Sequence, residues 1–380
     1  MFQYSKLAIK TFILTTIVLA VVIPTLVYIS DPLQVFHKSY FTKEKRYAKT
    51  RESIRAIVRD NDFDGLILGS SFSVNFSAKE VGKKLGNKYM NLSMCAGTMV
   101  ENALLLNHVF KEKEINDVLY TFSSNYMSMS VNAHLFDLSN YDFLYSDNIF
   151  ERFKIYGNTK YSVCAITFSQ NEKCVGEVRN MDKPYAWDTE EINMKRFGGF
   201  DVWLKNKDNG ELQKDFKRIT NSNKISEYRL ENDYNQKIEK FLDDNLFKFV
   251  RENPNVKFRI LIAPVTNLHI ALLARTSSAY GRLVHFIASQ KKLVEMAEKY
   301  KNVTVYGFQN DNINEIKNYK DLTHYHPDIN SYMLNRVQDG KNILTLKNVD
   351  EYFKKVEKTA RTYNYDYYRE QIIGLDKSRF

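Results

Sequence analysis

The chain has 380 residues, 44% apolar and 26% charged, enough for a sizeable core in one large domain or two ordinary ones. Only 14 Gly and 6 Pro exclude collagen-like and proline-rich classes, 3 Cys exclude a disulfide scaffold, and a mean hydropathy of −0.44 excludes a polytopic membrane protein. The net charge of +10 comes with no stripe of Arg and Lys at nucleic-acid spacing, so no nucleic-acid partner is expected.

Thr11 to Ile29 is a run of 19 residues without a charge. About 20 apolar residues cross about 30 Å of hydrocarbon, so the run reads as a single membrane span. Val27-Tyr28-Ile29-Ser30 is a poor cleavage site, which favours an uncleaved anchor over residues 1–31. Lys6 and Lys10 favour an inside N-terminus, whereas Lys38, Lys43, Lys45, Arg46, Lys49 and Arg51 argue the other way. Residues 32–62 read as a charged stalk or first surface helix.

A β/α alternation follows. Phe63 to Gly69 is a short apolar run ending in Gly, as a buried parallel strand should. A helix opens at Ser77, Lys88 to Leu92 reads as a strand, Met99 to Lys113 as a helix and Val118 to Phe122 as a strand. Residues 131–232 lose the alternation and hold both Trp and both Cys164 and Cys174, so this stretch reads as an insertion or cap. The two cysteines are able to pair in an oxidising space, and Cys95, in an apolar turn, reads as a buried small hydrophobe. The alternation resumes over 233–345, with helix 234–252, strand Phe258 to Ala263, helix 279–299 and strand Val303 to Tyr306. Residues 346–380 read as a helical tail. Strands alternating with helices predict an α/β fold around a parallel sheet.

Ligands of parallel sheets bind beyond the carboxyl ends of strands, so polar residues there carry the candidate chemistry. Gly69-Ser70-Ser71 puts a hydroxyl on a strand-to-helix turn, where it serves either as a nucleophile or as a helix cap. Gly97 permits close approach of a backbone N–H to an oxyanion, and Asn125 carries an amide near a strand end. In Asp321-Leu322-Thr323-His324, a carboxylate three residues before an imidazole can orient one ring nitrogen while the other faces a nucleophile. His326 competes with His324 as base, and Ser70 with Ser71 as nucleophile. No further His/Asp cluster has metal spacing, so neither metal nor cofactor is expected. Trp187, Phe197, Phe200 and Trp203 read either as core or as a platform for sugar rings.

These four blocks, in this order, resemble the SGNH (GDSL-like) hydrolase superfamily over roughly residues 63–130 and 255–335, and most closely its membrane-anchored cell-envelope branch. That branch includes alginate acetylation proteins and the D-alanyl transfer protein of teichoic acid synthesis. The resemblance implies a flavodoxin-like three-layer sheet, Ser71 as nucleophile, His324 as base, Asp321 as its orienter, and Gly97 and Asn125 as oxyanion donors. Ser70, His326, Trp187 and Trp203 are the further candidates for substrate contact. It also implies an extracytoplasmic site, on the bacterial cytoplasmic membrane, acting on acyl esters of a surface glycan. The chain departs from the family in having Ser70 where Asp is usual before the nucleophile, Ser123 for Gly and Tyr126 for Asp. An alternative is therefore a silent SGNH-like domain that binds glycan or scaffolds a multipass membrane-bound O-acyltransferase. A third reading is a cytoplasm-facing lipid esterase.

Overall fold

A computed structural model describes residues 2–40, 45–46, 50–123, 142–178, 182–183, 191–222, 224–276 and 282–374. The chain forms two compact units, residues 1–62 with 137–180, and residues 63–136 with 181–380. The stretch expected as one insertion is therefore shared between them, dividing after residues 136 and 180.

The first unit begins with the helix Phe2–Ser30. Its segment Ser5–Ser30 contains an 18-residue stretch with a mean hydropathy of 2.5 and is long and apolar enough to cross a membrane. At about 1.5 Å per residue it spans roughly 39 Å. Asp31 ends this helix in a left-handed conformation (φ 31°). Its carboxylate accepts the N–H groups of Val35, Phe36 and His37 at 3.0, 2.7 and 3.1 Å and the Tyr156 hydroxyl at 2.7 Å. The exit of the helix is thus tied to residues more than a hundred positions on, whose helix Thr159–Ile166 packs against it. Cys164 and Cys174 form a disulfide in this unit.

The second unit is α/β. Its strands are β1 (Gly65–Leu68), β2 (Tyr89–Asn91), β3 (Asp117–Phe122), β4 (Lys257–Ile262), β5 (Val303–Gly307) and β6 (Ile343–Leu344). They lie in the order β2-β1-β3-β4-β5-β6. The first five are parallel and β6 is antiparallel to β5, so the sheet is mixed rather than wholly parallel. β1 and β3 are buried along their whole length, which is why they read as continuous apolar runs instead of alternating ones. The strand order reverses between β1 and β3, and crevices form at such points outside the carboxyl ends of the strands. The helices Ala78–Leu85 and Met99–Glu112 link β1 to β2 and β2 to β3, each opened by a side-chain cap from Ser77 or Thr98. Residues from the former insertion add the helices Phe200–Lys205 and Gly210–Asn221 to this unit.

Candidate active site

The turn after β1 carries the nucleophile candidate. Gly69 has φ 149°, and a Cβ there would stand 2.4 Å from Ser73 Oγ and 3.0 Å from Thr121 O, so glycine is required by both conformation and space. The turn is held from below by Asn91, whose amide donates to Ser73 O and Phe76 O, both at 2.9 Å. Among the described residues the backbone N–H of Ser71 donates to no acceptor, which leaves it available to an oxyanion.

Ser71 Oγ lies 2.9 Å from His324 Nε2, across 253 positions of sequence. His324 Nδ1 lies 2.8 Å from Asp321 Oδ2. The other carboxylate oxygen accepts the backbone N–H groups of Thr323 and His324, each at 2.9 Å. That same oxygen also stands 3.0 Å from His324 Nδ1, so the carboxylate faces the imidazole with both oxygens, Oδ2 the nearer. Asp321 is also 3.9 Å from the buried Lys320 ammonium. Burial alone would raise its pKa; the facing His324, the hydrogen bond to it and Lys320 outweigh burial and hold the carboxyl well below its ordinary range.

The two halves of the site are joined directly. The Tyr325 hydroxyl donates to Phe72 O at 2.7 Å, and the Phe72 ring stacks on His324 with centroids 5.8 Å apart. The loop bearing the acid and base is pinned further. Lys320 N–H donates to His324 O at 3.0 Å, closing the turn, and Trp203 Nε1–H donates to Tyr319 O at 3.0 Å. The Leu322 carbonyl accepts Thr266 Oγ1–H at 2.8 Å, and the Leu322 N–H donates to Asp215 Oδ2 at 3.0 Å.

Several expectations change. Trp203 is fully buried, packed on Phe200 and bonded to the loop behind the site, so it is a brace and not a sugar platform. Phe200 is likewise core. The Ser70 hydroxyl is buried with no hydrogen-bond partner among the described residues, whereas Ser71 Oγ is the one that meets His324. His326 turns Nδ1 toward Asp328 at 3.3 Å and meets the edge of Phe197, which leaves His324 as the imidazole on Ser71. Gly97 does lie against the nucleophile turn, since a Cβ there would be 3.2 Å from Gly69 O. Its N–H, however, closes a turn on Met94 O at 2.9 Å and is occupied in this conformation. Cys95 sits at the outer corner of that same turn and is exposed, not buried. Asn125 and Trp187 lie outside the described residues.

Sequence reasoning missed Asp215, Thr266 and Lys320. None belongs to a recognisable spacing: Asp215 and Thr266 act on peptides far away along the chain, and Lys320 acts only as a charge beside its neighbour Asp321. Among the described residues no group of three or more His, Cys, Asp or Glu is arranged to hold a metal ion. A cavity of about 310 Å³ lined by Tyr228, Leu273, Leu283 and Ile287 contains none of these site residues.

The site has the parts an acyl-transfer centre needs: a hydroxyl, a base at hydrogen-bond distance and an acid that orients the base. No protein-family model matches this chain, and no curated protein matches it.

Proposed function

We propose that the chain is a membrane-anchored serine acyltransferase or esterase of SGNH type, acting on acyl esters of a cell-surface polysaccharide. The observation that carries this reading is the relay Ser71 Oγ–His324 Nε2 at 2.9 Å and His324 Nδ1–Asp321 Oδ2 at 2.8 Å. The five parallel strands, whose order reverses beside the nucleophile, follow the order that flavodoxin-like folds use, which supports the same reading.

In the first step His324 Nε2 takes the proton of Ser71 Oγ as the oxygen attacks the ester carbonyl. Asp321 stabilises the imidazolium that forms, and the Ser71 N–H meets the oxyanion. The tetrahedral intermediate then collapses: the ester C–O bond breaks, the imidazolium gives its proton to the leaving alkoxide, and the acyl group stays on Ser71. In the second step water or a sugar hydroxyl gives its proton to His324 and attacks the acyl-Ser71 carbonyl. Restoring the Ser71 hydroxyl releases the acid or the new ester.

The anchoring and the compartment belong to the same proposal. The apolar helix supports a single-pass anchor, and the paired Cys164 and Cys174 support an oxidising, extracytoplasmic space outside a bacterial cytoplasmic membrane. A C-terminal reporter fusion active only outside that membrane checks the orientation. A fluorophosphonate probe checks the chemistry: the full chain is labelled, and Ser71→Ala is not.

The occupied Gly97 N–H favours one second reading, a catalytically silent SGNH-like domain that binds glycan or scaffolds a multipass O-acyltransferase. Absence of labelling in the folded wild type selects it.

A further inference from the structure

We propose that Asp215 is a positioning residue of the Ser71 site, fixing the Asp321–His324 turn through the Leu322 peptide. Asp215 stands on the helix Gly210–Asn221, outside the β/α alternation, and its side chain is only 13% exposed. Its Oδ2 accepts the Leu322 N–H at 3.0 Å. On the next peptide, Leu322–Thr323, Thr266 holds the Leu322 carbonyl with both Oγ1–H (2.8 Å) and N–H (3.2 Å). The two peptide planes that meet at Leu322, between the acid and the base, are therefore each held, one by Asp215 and the other by Thr266. Planes so held leave the turn little freedom to rotate, and rotation there would carry His324 away from Ser71.

The charged neighbourhood supports a role beyond packing. Asp215 is faced by Asp321 and His324 on the turn and by Arg218 on its own helix, 3.3 Å away. The buried His269 faces Arg218 and Asp321 from the helix Asn267–Leu273, and burial pushes it down to about 3, so it stays neutral. Burial, then the Asp321 charge, push Asp215 up to about 7. Of two carboxyl groups sharing this pocket, Asp321 keeps its charge for the imidazole, and Asp215 carries the proton when one is present.

The rate readout rests on the acyl-transfer reading, whereas a titration readout does not. The full chain, Asp215→Ala and Asp215→Asn are labelled with a fluorophosphonate across pH 5–9. Loss of the hydrogen bond slows labelling of Asp215→Ala by about tenfold. Asparagine still accepts the Leu322 N–H, so Asp215→Asn recovers to within about threefold of wild type. It also shifts half-maximal labelling to lower pH, because a negative charge that favours the imidazolium is gone. Wild-type rates with an unchanged profile in both variants overturn the proposal. If Asp215→Ala fails to fold, an unchanged profile in Asp215→Asn does so alone. Nitrogen-15 NMR of the His324 ring covers a wild type that does not label. A midpoint lowered in Asp215→Asn then upholds the positioning role while acyl transfer falls; an unmoved midpoint overturns both.

Discussion

Asp321→Asn tests the acid-base pair in the sharpest way, because the backbone dictates how the new side chain must sit. Thr323 and His324 both aim N–H groups at Oδ1, each at 2.9 Å. Asparagine must keep its carbonyl oxygen there, since its amide nitrogen would place donor against donor. The amide NH₂ then takes the nearer of the two positions facing His324 Nδ1, the one Oδ2 holds at 2.8 Å against 3.0 Å for Oδ1. Nδ1 becomes an acceptor, the ring proton moves to Nε2, and Nε2 can no longer take the proton of Ser71. The wrong tautomer in a serine triad costs on the order of 10⁴ in rate, roughly 5.4 kcal/mol of transition-state stabilisation. The assay is the second-order rate of fluorophosphonate labelling of the full chain in detergent at neutral pH, with folding checked by circular dichroism. A folded Asp321→Asn variant that labels within about tenfold of wild type would refute the assignment of Asp321 as the orienter.

Trp203→Phe removes the donor to Tyr319 O and leaves a buried carbonyl unpaired beside a small void, for a loss of about 2–4 kcal/mol in chemical denaturation. An unchanged midpoint with weakened glycan binding would restore Trp203 as a sugar contact. Gly69→Ala forces an L-residue to φ 149° against Thr121 O, costing about 1–3 kcal/mol and slowing Ser71 labelling; wild-type stability and rate would show that the turn tolerates a side chain. The raised Asp215 carboxyl binds its proton more tightly folded than unfolded, so it makes stability fall as pH rises from about 4 to about 7 and level off above. Asp215→Asn therefore flattens that part of the melting-temperature profile, and an unaltered slope would place the titration elsewhere.

What could be read from the chain alone was what is local. Gly69-Ser70-Ser71 announced a turn because an apolar run stopped at a glycine, and the structure places Ser71 on it. Asp321 and His324 were legible because three positions suffice for a carboxylate to reach its neighbour's ring. The strands β1, β3, β4 and β5 showed through as short apolar runs, whereas β6, two residues long, carries too little pattern to be seen. Long-range roles left no mark. An aromatic outside the alternation reads equally as platform or core, and burial against Phe200 decided Trp203. Asp215 meets its partner 107 positions away through a backbone N–H that has no residue preference. The apolar setting of Cys95 suggested burial, but its place at the corner of a tight turn puts it in solvent.

Acid and base leave the backbone within four residues, on a turn closed by its own hydrogen bond, while the hydroxyl comes from the far end of the unit's sequence. The pair behaves as one cassette: a shift of the loop translates carboxylate and imidazole together and leaves their mutual alignment intact. All positional error then falls on a single joint, the gap between Ser71 and the imidazole, and the tyrosine spanning from residue 325 to Phe72 acts as its spacer. Tuning that spacer adjusts the nucleophile's reach without disturbing the proton relay, which makes residue 325 the natural first position to vary in redesign.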